Sequence, residues 1–154
     1  MLRPIAQDDL DAWAAFLADP LATRLLHFPE PQSREEAADL LSRTILRATG
    51  DVAMYAARIR ESGVTVGFVG YAPRKLEWGD ELELGWLLLR DFHGRGYATE
   101  AAIALRALVP GRVISLVRTE NEASRNVARK IGMTHERKID FAGYRTDVFA
   151  SATP

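Results

Sequence analysis

Leu84-Gly85-Trp86-Leu87-Leu88-Leu89-Arg90-Asp91-Phe92-His93-Gly94-Arg95-Gly96-Tyr97-Ala98-Thr99-Glu100-Ala101 changes period in mid-course. It starts as an apolar run of strand character, crosses a loop with glycines at 94 and 96, and opens directly into a helix. The spacing of Ala101, Ala102, Leu105, Leu108 and Val109 predicts that helix over 99–109, with Pro110-Gly111 as its stop. Glycines let backbone amides approach a ligand closely, and a helix start adds unpaired N–H groups and partial positive charge. The unit is therefore either a plain strand-to-helix turn or a site for phosphate or pyrophosphate. A dinucleotide-binding Rossmann unit would continue to a third glycine, where this chain has Thr99, and a Walker loop would need Gly-Lys-Ser/Thr.

Working outward, three antiparallel-looking strands precede this unit, at 52–60, 64–71 and 81–89. Glu61-Ser62-Gly63 turns the first into the second, and residues 75–80 read as a loop. Before them come a short strand at 2–5, a helix capped by Asp8 or Asp9 that carries Leu10, Trp13, Phe16 and Leu17, and a loop or short helix at 21–32. Ser33 and Glu36 form a capping-box pattern for a helix with Ala37, Leu40, Leu41, Ile45 and Leu46 on its apolar face, stopping near Gly50. Downstream, 113–117 is a buried-strand run and Asn121 caps a helix that ends at Gly132. Residues 133–140 and 145–150 make a closing hairpin. The order β-α-(α)-β-β-β-α-β-α-β-β predicts an α/β (α+β) mixed sheet. It is mostly antiparallel, with a central parallel β-α-β unit and helices on both faces.

With 154 residues, 47% hydrophobic and 27% charged, the chain suits one domain, 1–154, with a core of its own. Lys+Arg 20 against Asp+Glu 21 gives net charge −1, so no general basic field draws nucleic acid. The absence of cysteine excludes disulfides, thiolate metal sites and a cysteine nucleophile, and fits a reducing, cytoplasmic setting. No apolar run reaches the ~18 residues of a membrane span, and Met1-Leu2-Arg3-Pro4 does not open a signal peptide. His27, His93 and His135 lack metal-ligand spacing, so no metal is expected.

His93-Gly94-Arg95-Gly96-Tyr97-Ala98 resembles the acetyl-CoA motif Gln/Arg-x-x-Gly-x-Gly/Ala of the GNAT N-acetyltransferase superfamily, with His93 where Gln or Arg is usual. Asn121, Ser124, Gly132 and Met133 match a second motif of the family, Asn-x-x-Ala/Ser-x-x-x-Tyr-x-x-x-Gly-Phe/Met, with Ala128 in the Tyr position. The wording around the glycine loop looks most like the Rim-type branch of ribosomal-protein acetyltransferases. The resemblance implies a single GNAT-like domain that moves an acetyl group from acetyl-CoA, its co-substrate, directly to a primary amine. The acceptor would be a protein N-terminus or a small-molecule amine.

It also implies roles. His93, Gly94, Arg95, Gly96, Tyr97, Ala98 and Thr99 would hold the pyrophosphate. Trp86, Leu87 and Leu88 on the central strand would pair with the pantetheine arm, and a backbone N–H there would polarise the thioester carbonyl. Asn121 would contact pantetheine amides, a role compatible with capping its helix. Of Arg125, Arg129 and Lys130, one would meet phosphate or adenine (Lys130 is the choice), unless all three simply form a solvated face. Ser124 is the nearest hydroxyl to stand in for the missing Tyr as proton donor to the thiolate, or it only serves its own helix. Glu81 and Glu83 share a strand face opposite Leu82, Leu84 and Trp86. Either is a base for the acceptor amine or part of a solvated face, with Glu83 preferred; it would work through a pKa raised by partial burial beside Trp86 and Leu88, or by holding a water and attracting the ammonium. Acceptor specificity is expected in 21–32 and 75–80. The competing reading is a non-catalytic acyl-CoA-binding or regulatory module of the same fold. Monomer and homodimer remain open.

Overall fold

The computed structural model describes residues 1–151; positions 152–154 of the expected domain lie outside the described residues. Seven strands form one sheet: β1 (Leu2–Pro4), β2 (Ala53–Arg58), β3 (Thr65–Leu76), β4 (Gly79–Leu88), β5 (Ile114–Arg118), β6 (Thr134–Phe141) and β7 (Tyr144–Ala150). Their order across the sheet is β1-β2-β3-β4-β5-β7-β6, antiparallel throughout except where β4 meets β5. Helices α1 (Leu10–Ala18), α2 (Pro20–Thr23), α3 (Arg34–Arg47), α4 (Tyr97–Arg106) and α5 (Glu122–Lys130) complete the fold. No helix of the described residues is long and apolar enough to cross a membrane.

The helices sort onto the two sheet faces by their apolar stripes. Trp13, Phe16 and Leu17 of α1 and Leu41 of α3 are buried against Ala56 and Phe68 of β2 and β3. Trp13 meets Phe68 edge to face at 4.9 Å, a geometry the ring quadrupoles favour. Ala101, Ala102 and Leu105 of α4 and Ala128 of α5 bury against Val69, Leu84, Val117 and Phe149 on the other face. The Ser33 capping box forms in full, with Ser33 Oγ accepting from Glu36 N and Glu36 accepting from Ser33 N at 2.7 Å. Asn121 Oδ1 accepts from Ser124 N at 3.1 Å, and Gly132 ends that segment in the left-handed region at φ 84°.

Four expectations need correction. Residues 75–80 are not a loop: β3 and β4 stay paired out to Leu76 and Gly79, so the turn is only Glu77 and Trp78. Helix α4 starts at Tyr97 rather than 99, because Gly96 at φ 83° is itself the residue before the first turn, and it ends at Arg106. Leu46 and Leu108 are exposed, not on apolar faces. Leu46 is in the last turn of α3, and Leu108 lies beyond the end of α4, where Val109 alone turns inward. Asp9 precedes α1 but does not cap it; its carboxylate accepts from Ala6 N and Arg3 instead.

Gly67 sets how closely β3 and β4 approach. A Cβ there would lie 2.2 Å from the Leu87 carbonyl oxygen and 3.0 Å from Leu88 Cα, both backbone atoms. Gly67→Ala is therefore expected to cost about 1–3 kcal/mol through overpacking. Gly85→Ala, with nothing within 4 Å of its Cβ, is expected to leave the urea midpoint nearly unchanged. Equal midpoints for the two variants would refute this reading of β3–β4 packing.

Candidate active site

Strand β4 and strand β5 share a single parallel register pair, Glu83 with Ile114. Ser115 Oγ donates to the Leu84 carbonyl at 2.6 Å just beyond it. Past that point the strands diverge, while β4 stays paired to β3 as far as Leu88. A central sheet that opens in this way leaves the backbone N–H of Trp86 facing a gap rather than a neighbouring strand, whereas Leu87 turns its backbone groups to β3. A cavity of about 360 Å³ occupies the region and is lined by residues of both sheet faces. Glu83, Arg74, Arg118 and His27 lie along it with Trp86, Leu87, Asn121 and Ser124.

On the α4 side, the β4 strand runs into the glycine loop. Gly94 and Gly96 both take left-handed φ values, 74° and 83°, with open space where a Cβ would be. Among the described residues the N–H groups of 94–99 donate to no backbone or side-chain acceptor, so they are free to grip an anion at the start of α4. The pattern fits a pyrophosphate. His93 Nε2 donates to the Leu88 carbonyl at 3.0 Å, which folds the loop back onto the end of β4. Arg95 lies 5.9 Å from the Phe92 ring, and Tyr97 packs edge to face on Phe92. Leu88 is not part of the cavity wall; it is half-buried against the α4-side core.

The two strand glutamates separate sharply. Glu81 is held by Arg112 at 2.9 Å and by Trp78 Nε1 at 3.0 Å, and Arg112 also reaches Glu136 at 2.8 Å. The Arg112 hydrogen bonds hold the Glu81 carboxyl below its ordinary range, and it does not line the cavity. Glu83 lines it. Its side chain is 15% exposed and paired with Arg74. Burial pushes its carboxyl above the ordinary range, against the opposing pull of Arg74 and the Leu116 N–H. That burial does not come from Trp86 and Leu88, which pack toward α4; Glu83 meets Arg74 and β5 instead.

Helix α5 contributes Asn121 and Ser124. Among the described residues the Ser124 hydroxyl makes no hydrogen bond (only its N–H does, to Asn121), so it is not used up by its own helix. Ala128, in the position where the family motif has Tyr, is fully buried. Arg125 is drawn inward to the buried Asp147 at 3.0 Å, and Arg129 pairs with Glu122. Lys130 is exposed at the far end of α5 and makes no ion pair among the described residues, but the structure does not bring it to the cavity.

The sequence reading missed His27. Thr146 Oγ1 donates to the Tyr144 carbonyl, so it accepts from His27 Nε2 at 2.9 Å, which leaves Nδ1 unprotonated. Burial first, then Arg118 and Arg74, lower the His27 pKa and keep the ring neutral. The loop that carries it is fixed by Arg118, whose Nη1 donates to the carbonyls of Arg24 and Leu26 at 2.9 and 3.1 Å and whose guanidinium stacks 3.8 Å over Tyr144. No motif marks His27; only its place in 21–32 pointed there. That loop supplies Leu25, Leu26, His27 and Phe28 to the wall, whereas 75–78 of the 75–80 segment line a separate hollow.

Comparison with known proteins identifies the family and the fold. Residues 1–134 match the family described as the acetyltransferase (GNAT) domain. The uncharacterized protein YkkB of Bacillus subtilis is 32% identical over 93 residues, 57% of this chain and 54% of YkkB, so the chain spans about half the length of that relative. An acetyltransferase from Agrobacterium tumefaciens superposes with TM-score 0.80 at 28% identity, covering 99% of this chain and 90% of that one. RimL, a ribosomal L7/L12 α-N-protein acetyltransferase solved with coenzyme A, superposes with TM-score 0.82 at 22% identity, covering 99% and 93%. At that identity the likeness to RimL is one of fold.

Proposed function

We propose that this chain, which belongs to the GNAT acetyltransferase family, is an N-acetyltransferase that moves the acetyl group of acetyl-CoA directly to a primary amine. One observation carries the reading. The cavity at the β4–β5 opening is lined by a buried carboxylate, Glu83, and a free hydroxyl, Ser124, and the strand that carries Glu83 runs on into a glycine loop whose amides are unclaimed, although none of residues 93–99 lines the cavity.

When bound, acetyl-CoA supplies the activated acyl group; residues 94–99 would hold its pyrophosphate and Asn121 its pantetheine arm. Strand alternation turns the Trp86 N–H to the gap and the Leu87 N–H to β3, so the Trp86 N–H is the one that would steady a developing oxyanion. Glu83 accepts the proton of the acceptor ammonium, directly or through water. Ser124 donates toward the departing sulfur. The wording of the glycine loop favours the Rim-like branch, without carrying that branch's acceptor with it.

Ser124→Ala is expected to lower kcat by roughly 10- to 100-fold with little change in CoA affinity, the size of a modest general-acid effect. Unaltered kcat, with chemistry limiting turnover, would reduce Ser124 to a helix residue. The reading as a whole is tested by thiol release from acetyl-CoA against a panel of amines and peptides, beside calorimetry with CoA and NAD. CoA binding with amine-dependent release supports it. CoA binding without release supports a non-catalytic acyl-CoA module, and NAD binding overturns both.

A further inference from the structure

The charges around the cavity restrict which amines it can take. Only Arg74, Glu83 and Arg118 among its lining residues are charged. Both Nη atoms of Arg118 are taken, by the Arg24 and Leu26 carbonyls and by Glu120, and only its buried Nε lacks a partner, so it acts chiefly as a strut for the 24–26 backbone. The single carboxylate, Glu83, is already paired with Arg74. An acceptor with several ammonium groups would meet one engaged carboxylate and two guanidiniums, which desolvation makes costly. Arg74 bonds Glu83 through Nε alone; among the described residues its Nη donors have no partner, and its side chain is 42% exposed. An anion can therefore dock on Arg74 about one guanidinium width from an amine seated at Glu83. The rest of the wall near this pair is mostly apolar, Leu25, Leu26, Phe28, Leu116 and Phe141, with the His27 ring among them.

We infer that the acceptor is a small α-amino-acid-like molecule, with its amine at Glu83, its adjacent carboxylate on the free Nη donors of Arg74, and an apolar side chain against the 25–28 loop. The inference rests on the transferase reading above and narrows it. In the reaction the free amine attacks the thioester carbonyl. The N–C bond forms and the C–S bond breaks. The nitrogen gives up its protons by way of Glu83 or water, and the sulfur leaves as CoA thiol after taking one proton. No oxidant or further co-reactant is needed.

The experiment compares L-leucine, leucinamide, the peptide leucyl-glycyl-glycine and spermidine in thiol release from acetyl-CoA, with rates referred to free-amine concentration. Leucine is expected to exceed leucinamide in kcat/KM by roughly 10- to 100-fold, the worth of a charge-assisted, bidentate contact. Spermidine is expected to be poorer still. In Arg74→Gln the preference for leucine over leucinamide should collapse to within about 3-fold, a readout that a merely structural role for Arg74 would not move. Equal use of leucine and leucinamide by the wild type, or preference for the peptide or spermidine, overturns this inference and leaves the transferase reading standing. No release with any of the four, in a protein that binds CoA, counts against both. The wild-type comparison decides the matter even if the variant does not fold.

Discussion

Glu83→Gln is expected to lower kcat/KM by about 10²- to 10³-fold near neutral pH, within the range of general-base effects. The loss should shrink at pH values where the acceptor amine is already free. An amine of pKa about 8 to 10 arrives protonated at pH 7, and the cavity offers one carboxylate to take the proton. Burial raises the Glu83 carboxyl above its ordinary range, which brings it nearer the pKa of the amine it serves. The wild-type profile should therefore fall on its acid side as pH drops through that raised value. The variant's deficit should be greatest between that value and the pKa of the amine. Glu81→Gln should do far less to activity, because Arg112 and Trp78 hold Glu81 away from the cavity. Folding stability runs the other way. A carboxyl raised on folding contributes stability below its unfolded pKa, and this is lost as pH rises through the folded one. Glu83→Gln should accordingly keep or raise Tm at pH 8, so that lost activity cannot be ascribed to unfolding. A pH-independent deficit, or equal deficits at 81 and 83, would make Glu83 a binding residue only.

Gly96→Glu is expected to weaken acetyl-CoA binding by roughly 100-fold or more, measured by calorimetry. The substitution places a carboxylate where free amides and the start of α4 favour an anion, and fills open space that the ligand would occupy. Because Gly96 sits at φ 83°, any side chain there also strains the backbone, by about 1–2 kcal/mol. Gly96→Ala separates the two effects: it should share the stability loss while retaining most of the affinity. Unchanged binding by Gly96→Glu would show that the pyrophosphate lies elsewhere.

Much of this site was legible in the sequence because its parts are local. The loop around Gly94 and Gly96, the Asn121 cap and the Gly132 stop each depend on neighbours within a few positions, and short-range rules read them correctly. Strand alternation likewise put Glu81 and Glu83 on one face. It could not distinguish them, because their difference comes from partners far along the chain, Arg112 for one, Arg74 and β5 for the other. His27 was invisible for the same reason: its tautomer is set by Thr146, 119 positions away. The β3–β4 hairpin is longer than the sequence shows, because only pairing between the two strands holds Lys75, Leu76, Gly79 and Asp80 extended, up to a two-residue turn at Glu77 and Trp78.

The claim at the centre of this account is direct transfer within a cavity shared by both substrates. It is tested most directly by counting CoA thiol released with and without amine, alongside the masses of amine and protein. Direct transfer predicts no release above background without amine. With amine it predicts one thiol per N-acetylated acceptor and a protein of unchanged mass. Thiol release without amine, with the protein gaining the mass of one acetyl group, would contradict it.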